Sequence, residues 1–249
     1  MNLQLTKTSR GMTTAEVLKS LAMENQCIGA IFYFSYSHPT LLQQRLSLTT
    51  DEQAILSKAA ALRSASKLPF WEALMLSCFG EQRDFTRLLR EATFHQSHKK
   101  ELVRVSRDQV LAGRLDELAN THIPDSHVSI SSKLEMADEG HMHLPLMDFH
   151  CPESLENDRL LFEVCKDIFR GTALVLSSGE SYHAIGLDVL DENTFREFLT
   201  RALLFAPIVD ARYVAHQMLE GECALRLSSS RSKPNRPRLK FVVTDNHTH

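Results

Sequence analysis

From residue 127 onward, short apolar runs rich in β-branched residues alternate with amphipathic stretches of helical period. Residues 127–130 alternate like a strand, and 144–149 form a short apolar run containing one acid, Asp148. Residues 154–169 place Leu155, Leu161, Phe162, Cys165 and Ile168 on one helical face and stop at Gly171. Residues 172–176 and 182–190 read as strands about a Ser-Ser-Gly-Glu turn, and 191–204 as a helix. Strands at 223–227 and 239–243 flank a basic loop. No such run can bury its apolar face alone, so strands and helices must cover one another in a mixed α/β layer.

The first 120 residues read mostly as helices. Thr13-x-x-Glu16 and Thr49-x-x-Glu52 are capping-box patterns opening helices, the first to about Gln26. Residues 28–35, aromatic and β-branched, read as a buried strand. Pro69 suits the first turn of a helix over 70–79 that Gly80 stops, and further helices are expected over 84–94 and 107–120. Pro124 and its polar neighbours place a boundary within 121–126. The expected organisation is an α+β chain: a mostly helical region over 1–120, then a core over 121–249 with a mixed, mainly antiparallel sheet.

Composition narrows the function classes. No window of 18 uninterrupted apolar residues exists, so no membrane partner is expected, and the N-terminus lacks the apolar run of a secretory signal. The five cysteines form no C-x-x-C pair, which suits reduced thiols in a cytoplasmic protein. Net charge is −3, so a global cationic footprint for nucleic acid is absent. Charge is uneven, however: Arg226, Arg231, Lys233, Arg236, Arg238 and Lys240 crowd one stretch free of acids. Polyanion contact is therefore expected to be local.

Four segments carry candidate chemistry. In Leu144-Pro-Leu-Met-Asp148-Phe-His150, an acid within an apolar run is costly unless paired or metal-bound, and His150 would share its strand face. A strand end with Asp148 capping the next helix is the plain alternative. In Ser177-Ser178-Gly179-Glu180-Ser181-Tyr182-His183, a Gly turn and an imidazole aim donors at one spot, as for phosphate, although an ordinary hairpin looks the same. In Pro207-Ile-Val-Asp210-Ala-Arg212-Tyr213, Asp210 follows an apolar run and also suits a helix N-cap. In Ala224-Leu-Arg226-Leu-Ser228, a buried arginine needs a carboxylate or phosphate partner.

Acid, histidine, acid and arginine, each at a strand edge and in this order, resemble the catalytic core of the archaeo-eukaryotic primase (primase-polymerase) superfamily. Its pattern is Asp-x-Asp or Asp-x-Glu on an apolar strand, then Ser-x-His, then an apolar run ending in Asp, then a strand with Arg. The resemblance spans about residues 140–243. It implies an RRM-like core and a nucleotidyltransferase that uses a divalent metal (Mn²⁺ or Mg²⁺), a nucleoside triphosphate and a nucleic-acid strand, single or primer-template. Asp148, Asp210 and His183 would be catalytic, with Asp148, His150 and Asp210 around the metal. Ser178, Gly179, Ser181, His183 and Arg226 would contact nucleotide phosphates, and Arg231, Lys233, Arg236 and Arg238 the strand.

One departure stands out. His150 replaces the second acid of the first motif, lowering the site's charge and favouring Mn²⁺, Zn²⁺ or Co²⁺ over Mg²⁺. The alternatives are a catalytically degenerate relative that binds nucleotide or nucleic acid, or serves as an interaction subunit beside protein partners in a larger complex, and a phosphoester hydrolase using Asp148 and His183. Asp138 or Glu139 could supply a further ligand, whereas His141 and His143 read as ordinary strand or loop histidines. Trp71 reads as core. Two of Phe32, Tyr33, Phe34 and Tyr36 would face outward, and His95, His98, Lys99 and Lys100 read as a solvated helix end. P-loop, dinucleotide-binding, zincin and nucleophile-elbow motifs are absent.

Overall fold

A computed structural model describes residues 1–37, 46–66, 68–93, 101–121, 126–138, 140–229 and 233–244. Contacts divide the chain into two compact units, residues 1–37 with 101–249, and residues 38–100. The boundary expected near residue 121 thus falls inside the first unit, because residues 1–37 are stitched to the C-terminal half. Leu3 N–H donates to Leu187 O, Val189 N–H to Met1 O, and Leu239 N–H to Met12 O, at 2.7–2.9 Å.

The smaller unit contains three described helices, α2 (Thr50–Ser66), α3 (Phe70–Cys78) and α4 (Thr86–Thr93). They enclose Ile55, Leu56, Ala59, Ala73, Leu74, Phe85, Leu88 and Ala92. The capping box at Thr49 forms as read: Glu52 N–H donates to Thr49 Oγ1 at 3.2 Å, and Thr49 N–H to the Glu52 carboxylate at 2.8 Å. Trp71 packs against this core, with Phe70 edge-on at 5.2 Å. His95, His98, Lys99 and Lys100 lie outside the described residues.

The larger unit opens with α1 (Thr14–Glu24), closed at its start by the Thr13–Glu16 capping box. Two sheets follow, and every described strand pairing is antiparallel. The first contains β1 (Ile28–Ser37), β2 (Val103–Ser106), β3 (Ser126–Met136), β4 (Gly140–His143) and β8 (Ala224–Arg226). Its order is β2-β1-β3-β4, with β8 alongside the opening half of β3. The second has the order β5-β7-β6-β9, from β5 (Leu146–Phe149), β7 (Tyr182–Gly186), β6 (Ala173–Ser177) and β9 (Arg238–Val243). Helices α7 (Leu155–Ile168), α8 (Glu192–Leu203) and α9 (Ala211–Glu220) alternate with these strands. The fold is α+β, and one buried apolar cluster runs through both sheets and their helices.

The reading of helix over 107–120 is corrected to two short helices, α5 (Arg107–Leu111) and α6 (Arg114–Asn120). Gly113 between them has φ +96°, a left-handed conformation that breaks helical pairing and that a side chain would oppose. Strand β2 was not legible, because Val103-Arg-Val-Ser is too short to show a period. Of the adjacent aromatics, Phe34 is buried, Tyr33 packs on the core and reaches Arg114 with its hydroxyl, and the half-buried Phe32 meets His141 at 5.8 Å. Nothing is described of the Tyr36 side chain.

Candidate active site

Register brings the first two motifs together. Asp148 on β5 is the direct cross-strand partner of His183 on β7, so both side chains share one face. His183 Nε2 lies 3.5 Å from Asp148 Oδ1. The third motif arrives through an isolated antiparallel bridge between Phe149 and Val209, reinforced by a 2.8 Å bond from His150 N–H to Ile208 O. That bridge sets Asp210 beside Asp148. Asp210 also caps α9, its Oδ1 accepting from Arg212 N–H at 2.9 Å and Tyr213 N–H at 3.1 Å. The capping and active-site readings of Asp210 are compatible: one oxygen is fixed by the helix end while the carboxylate's charge still acts on Asp148.

The electrostatics follow from this packing. Asp148 keeps 34% of its side chain open to the cleft, yet burial first, then repulsion from Asp210, pushes its carboxyl up to about 7; Lys233 and Arg226 pull the other way. Burial, then Arg226 and Lys233, hold the His183 imidazole down at about 3. His183 is therefore neutral at physiological pH, and its contact with Asp148 is not an ion pair. Its Nδ1 is buried without a hydrogen-bond partner among the described residues. Tyr213, one turn into α9, donates to Ala224 O at 3.1 Å, and burial with nearby Cys223 and Asp148 raises its phenol.

Arg226 differs from the expectation of a phosphate contact. Its guanidinium bonds three backbone carbonyls: Ser228 O at 2.8 Å and Asn235 O at 2.7 Å through one nitrogen, and Ser178 O at 2.8 Å through another. It clamps the β6–β7 turn to the loop after β8. Burial lowers it to about 10 while Asp148 and Glu180 oppose that shift, so it remains a cation near Asp148. Ser178 and Ser181 also bond within their own turn: Ser178 N–H and Oγ donate to Ser181 O at 2.9 and 3.0 Å. Gly179 holds φ +105° there, which closes the turn. Lys233 pairs with Glu180 at 3.0 Å, Arg236 with Asn120, and Arg238 with Gly11 O at 2.9 Å. Arg231 and Glu139 lie outside the described residues.

The sequence reading groups Asp148, His150 and Asp210 around a metal. Among the described residues, no group of three or more His, Cys, Asp or Glu is arranged to hold a metal ion. The two-residue strand period fails because β5 ends at Phe149, which leaves His150 exposed. Asp148 and Asp210 do suit a divalent cation: they are hard oxygen donors, mutually repelling in a partly desolvated cleft, and a cation would relieve that repulsion. His143 is structural, with Nδ1 3.0 Å from Ser132 Oγ, Nε2 3.3 Å from the Glu192 carboxylate, and its ring stacked on Phe195 at 4.1 Å. Reading the sequence assigned no role to Tyr213, whose hydroxyl ties α9 to β8.

This α+β domain brings two aspartates, a neutral histidine and a buried arginine together in the motif order of a primase-related class. A family model, archaeo-eukaryotic primase 1D-like, matches residues 107–237, more than half of the chain and all four motifs. The chain belongs to this archaeo-eukaryotic primase-like family. No curated protein and no solved structure matches it. Among the described residues, no helix is long and apolar enough to cross a membrane.

Proposed function

We propose that the protein is a nucleotidyltransferase that transfers nucleotides from nucleoside triphosphates onto a nucleic-acid strand, with or without a primer, releasing pyrophosphate. The observation carrying this reading is the convergence of Asp148, His183 and Asp210 through the β5–β7 register and the Phe149–Val209 bridge. Asp148 and Asp210 would hold a divalent cation, which supplies charge neutralisation at the reacting phosphate when bound. The neutral His183 offers a hydrogen bond without adding charge, and Arg226 contributes a fixed positive field from behind its carbonyl clamp. Ser178, Gly179 and Ser181 would form the phosphate-facing turn, and Arg231, Lys233, Arg236 and Arg238 would contact the strand's phosphates.

The purified chain, incubated with Mn²⁺, labelled nucleotides and a single-stranded or primed template, should yield extended or dinucleotide products. Asp148→Asn and Asp210→Asn should each lower the yield at least a hundredfold. Absence of product with the wild-type chain under Mn²⁺ and Mg²⁺, while strand binding persists, would refute the catalytic reading.

A further inference from the structure

On the second sheet, side chains alternate between faces, so Asp148, His183 and Leu176 lie on one face and Phe149, Tyr182 and Ser177 on the other. Arg238 lies opposite Ser177 on β9 and shares that other face. There Gly179 N–H donates to Glu153 Oε1 at 3.3 Å, and the Ser177 hydroxyl donates to the same oxygen. Lys240 Nζ stands 3.5 Å from Glu153 Oε2. A backbone N–H at a positive-φ turn, a hydroxyl and an ammonium form a seat for an oxyanion, and in this chain Glu153 itself fills it.

A cleft of about 380 Å³ opens beside the seat, lined by Glu153, Ser177, Gly179, Asn235, Arg236 and Arg238. That volume lies within the range of small-molecule sites, about 300–1,000 Å³. Each of the two arginines donates to a neutral acceptor, Arg236 to Asn120 Oδ1 and Arg238 to Gly11 O, and the acid that feels both, Glu16, is engaged in the Thr13 capping box. Glu153 can leave without stranding its cation, because Lys240 keeps Asp158 at 2.7 Å. Glu153 itself stands just before the Ser154 N-cap of α7 with a quarter of its side chain exposed.

We infer that this cleft is a phosphoryl-binding site whose occupancy Glu153 regulates as a built-in competitor. An incoming phosphate would take over the donors of Ser177, Gly179 and Lys240, with Arg236 and Arg238 on its remaining oxygens. The inference deepens the reading of the Ser178–Ser181 turn and of Arg236 and Arg238 as phosphate contacts. It does not need nucleotidyl transfer to occur.

Titration of the full chain with inorganic pyrophosphate in EDTA, followed by calorimetry, tests it. Glu153→Gln should bind at least tenfold more tightly than wild type, and Arg238→Gln at least tenfold more weakly. Glu156→Gln, which removes an acid from the first turn of α7, should stay within twofold. Glu153→Asp, too short to fill the seat, should shift affinity in the same direction as Glu153→Gln and covers a failure of that variant to fold. Displacement of pyrophosphate by an oligonucleotide lacking terminal phosphates would make the strand the source of the phosphoryl group; displacement by nucleoside triphosphate alone would make it the nucleotide. Unchanged affinity in both Glu153 variants, or an equal gain in Glu156→Gln, would overturn the inference. Because the titration contains neither metal nor template, failed nucleotide addition with intact pyrophosphate binding would sink only the catalytic reading.

Discussion

Replacing Asp148 with Asn should stabilise the fold above neutral pH and leave it unchanged in acid. The carboxyl faces His183 with a third of its surface open, and burial together with Asp210 holds it at about 7 instead of 3.8. Between those values the folded chain keeps a proton that the unfolded chain has released. The stability this group contributes is therefore complete below about pH 4, declines as pH rises, and is lost once pH passes about 7. In a site sealed from water such a displacement would correspond to about 4 kcal/mol. With a third of the carboxylate in water, screening leaves about 1–2 kcal/mol. Asn has the same shape and no charge, so Asp148→Asn should gain about 1–2 kcal/mol at pH 8 and almost nothing at pH 4. Thermal unfolding followed by circular dichroism in EDTA reads this as a rise of about 2–4 °C per kcal/mol. Adding Mn²⁺ to the wild type should narrow the gap, since a cation between Asp148 and Asp210 removes the same repulsion. Destabilisation of the variant at pH 8, or an equal gain at pH 4 and pH 8, would refute the reasoning.

Three further outcomes follow from the same geometry. Arg226→Met should cost about 2–4 kcal/mol in urea unfolding, because three carbonyls, two of them buried, lose their donor while the burial cost of a cation is relieved; a loss below about 1 kcal/mol would mean the carbonyls find other partners. Asp210→Ala should cost about 1 kcal/mol through loss of the α9 cap, whereas Asp210→Asn keeps the cap and should match or exceed wild-type stability, so equal losses in the two variants would contradict the capping role. Gly186→Ala should destabilise by about 1–3 kcal/mol, since its Cβ would stand 2.6 Å from Phe169 and 3.0 Å from Pro145, and an unchanged melting temperature would show that those rings yield.

Much of the local structure was legible in the sequence because its causes are local. The capping boxes at Thr13 and Thr49, the cap at Asp210, and the helical period of α7 are each set by residues within a turn or two. Strands β6 and β9 announced themselves as β-branched runs ending in turn or basic residues. Strands β2 and β4 did not: at four residues each, they become strands through pairing with β1 and β3. The placement of residues 1–37 in the larger unit was equally hidden, since its bonds run to residues about 185 and 230 positions away.

The same division runs through the site. The candidate residues Asp148, His183, Asp210 and Arg226 were readable as an ordered set of acid, imidazole, acid and guanidinium. What each one does was decided by packing. Register alone makes Asp148 and His183 neighbours, an isolated bridge brings up Asp210, and the end of β5 at Phe149 keeps His150 out of a three-ligand group. Arg226 turns out to clamp two loops, and Glu153, silent in the sequence, occupies an anion seat. Sequence records side-chain chemistry and short-range pattern; proximity across dozens of residues, and the desolvation that sets each charge, exist only once the sheets have formed.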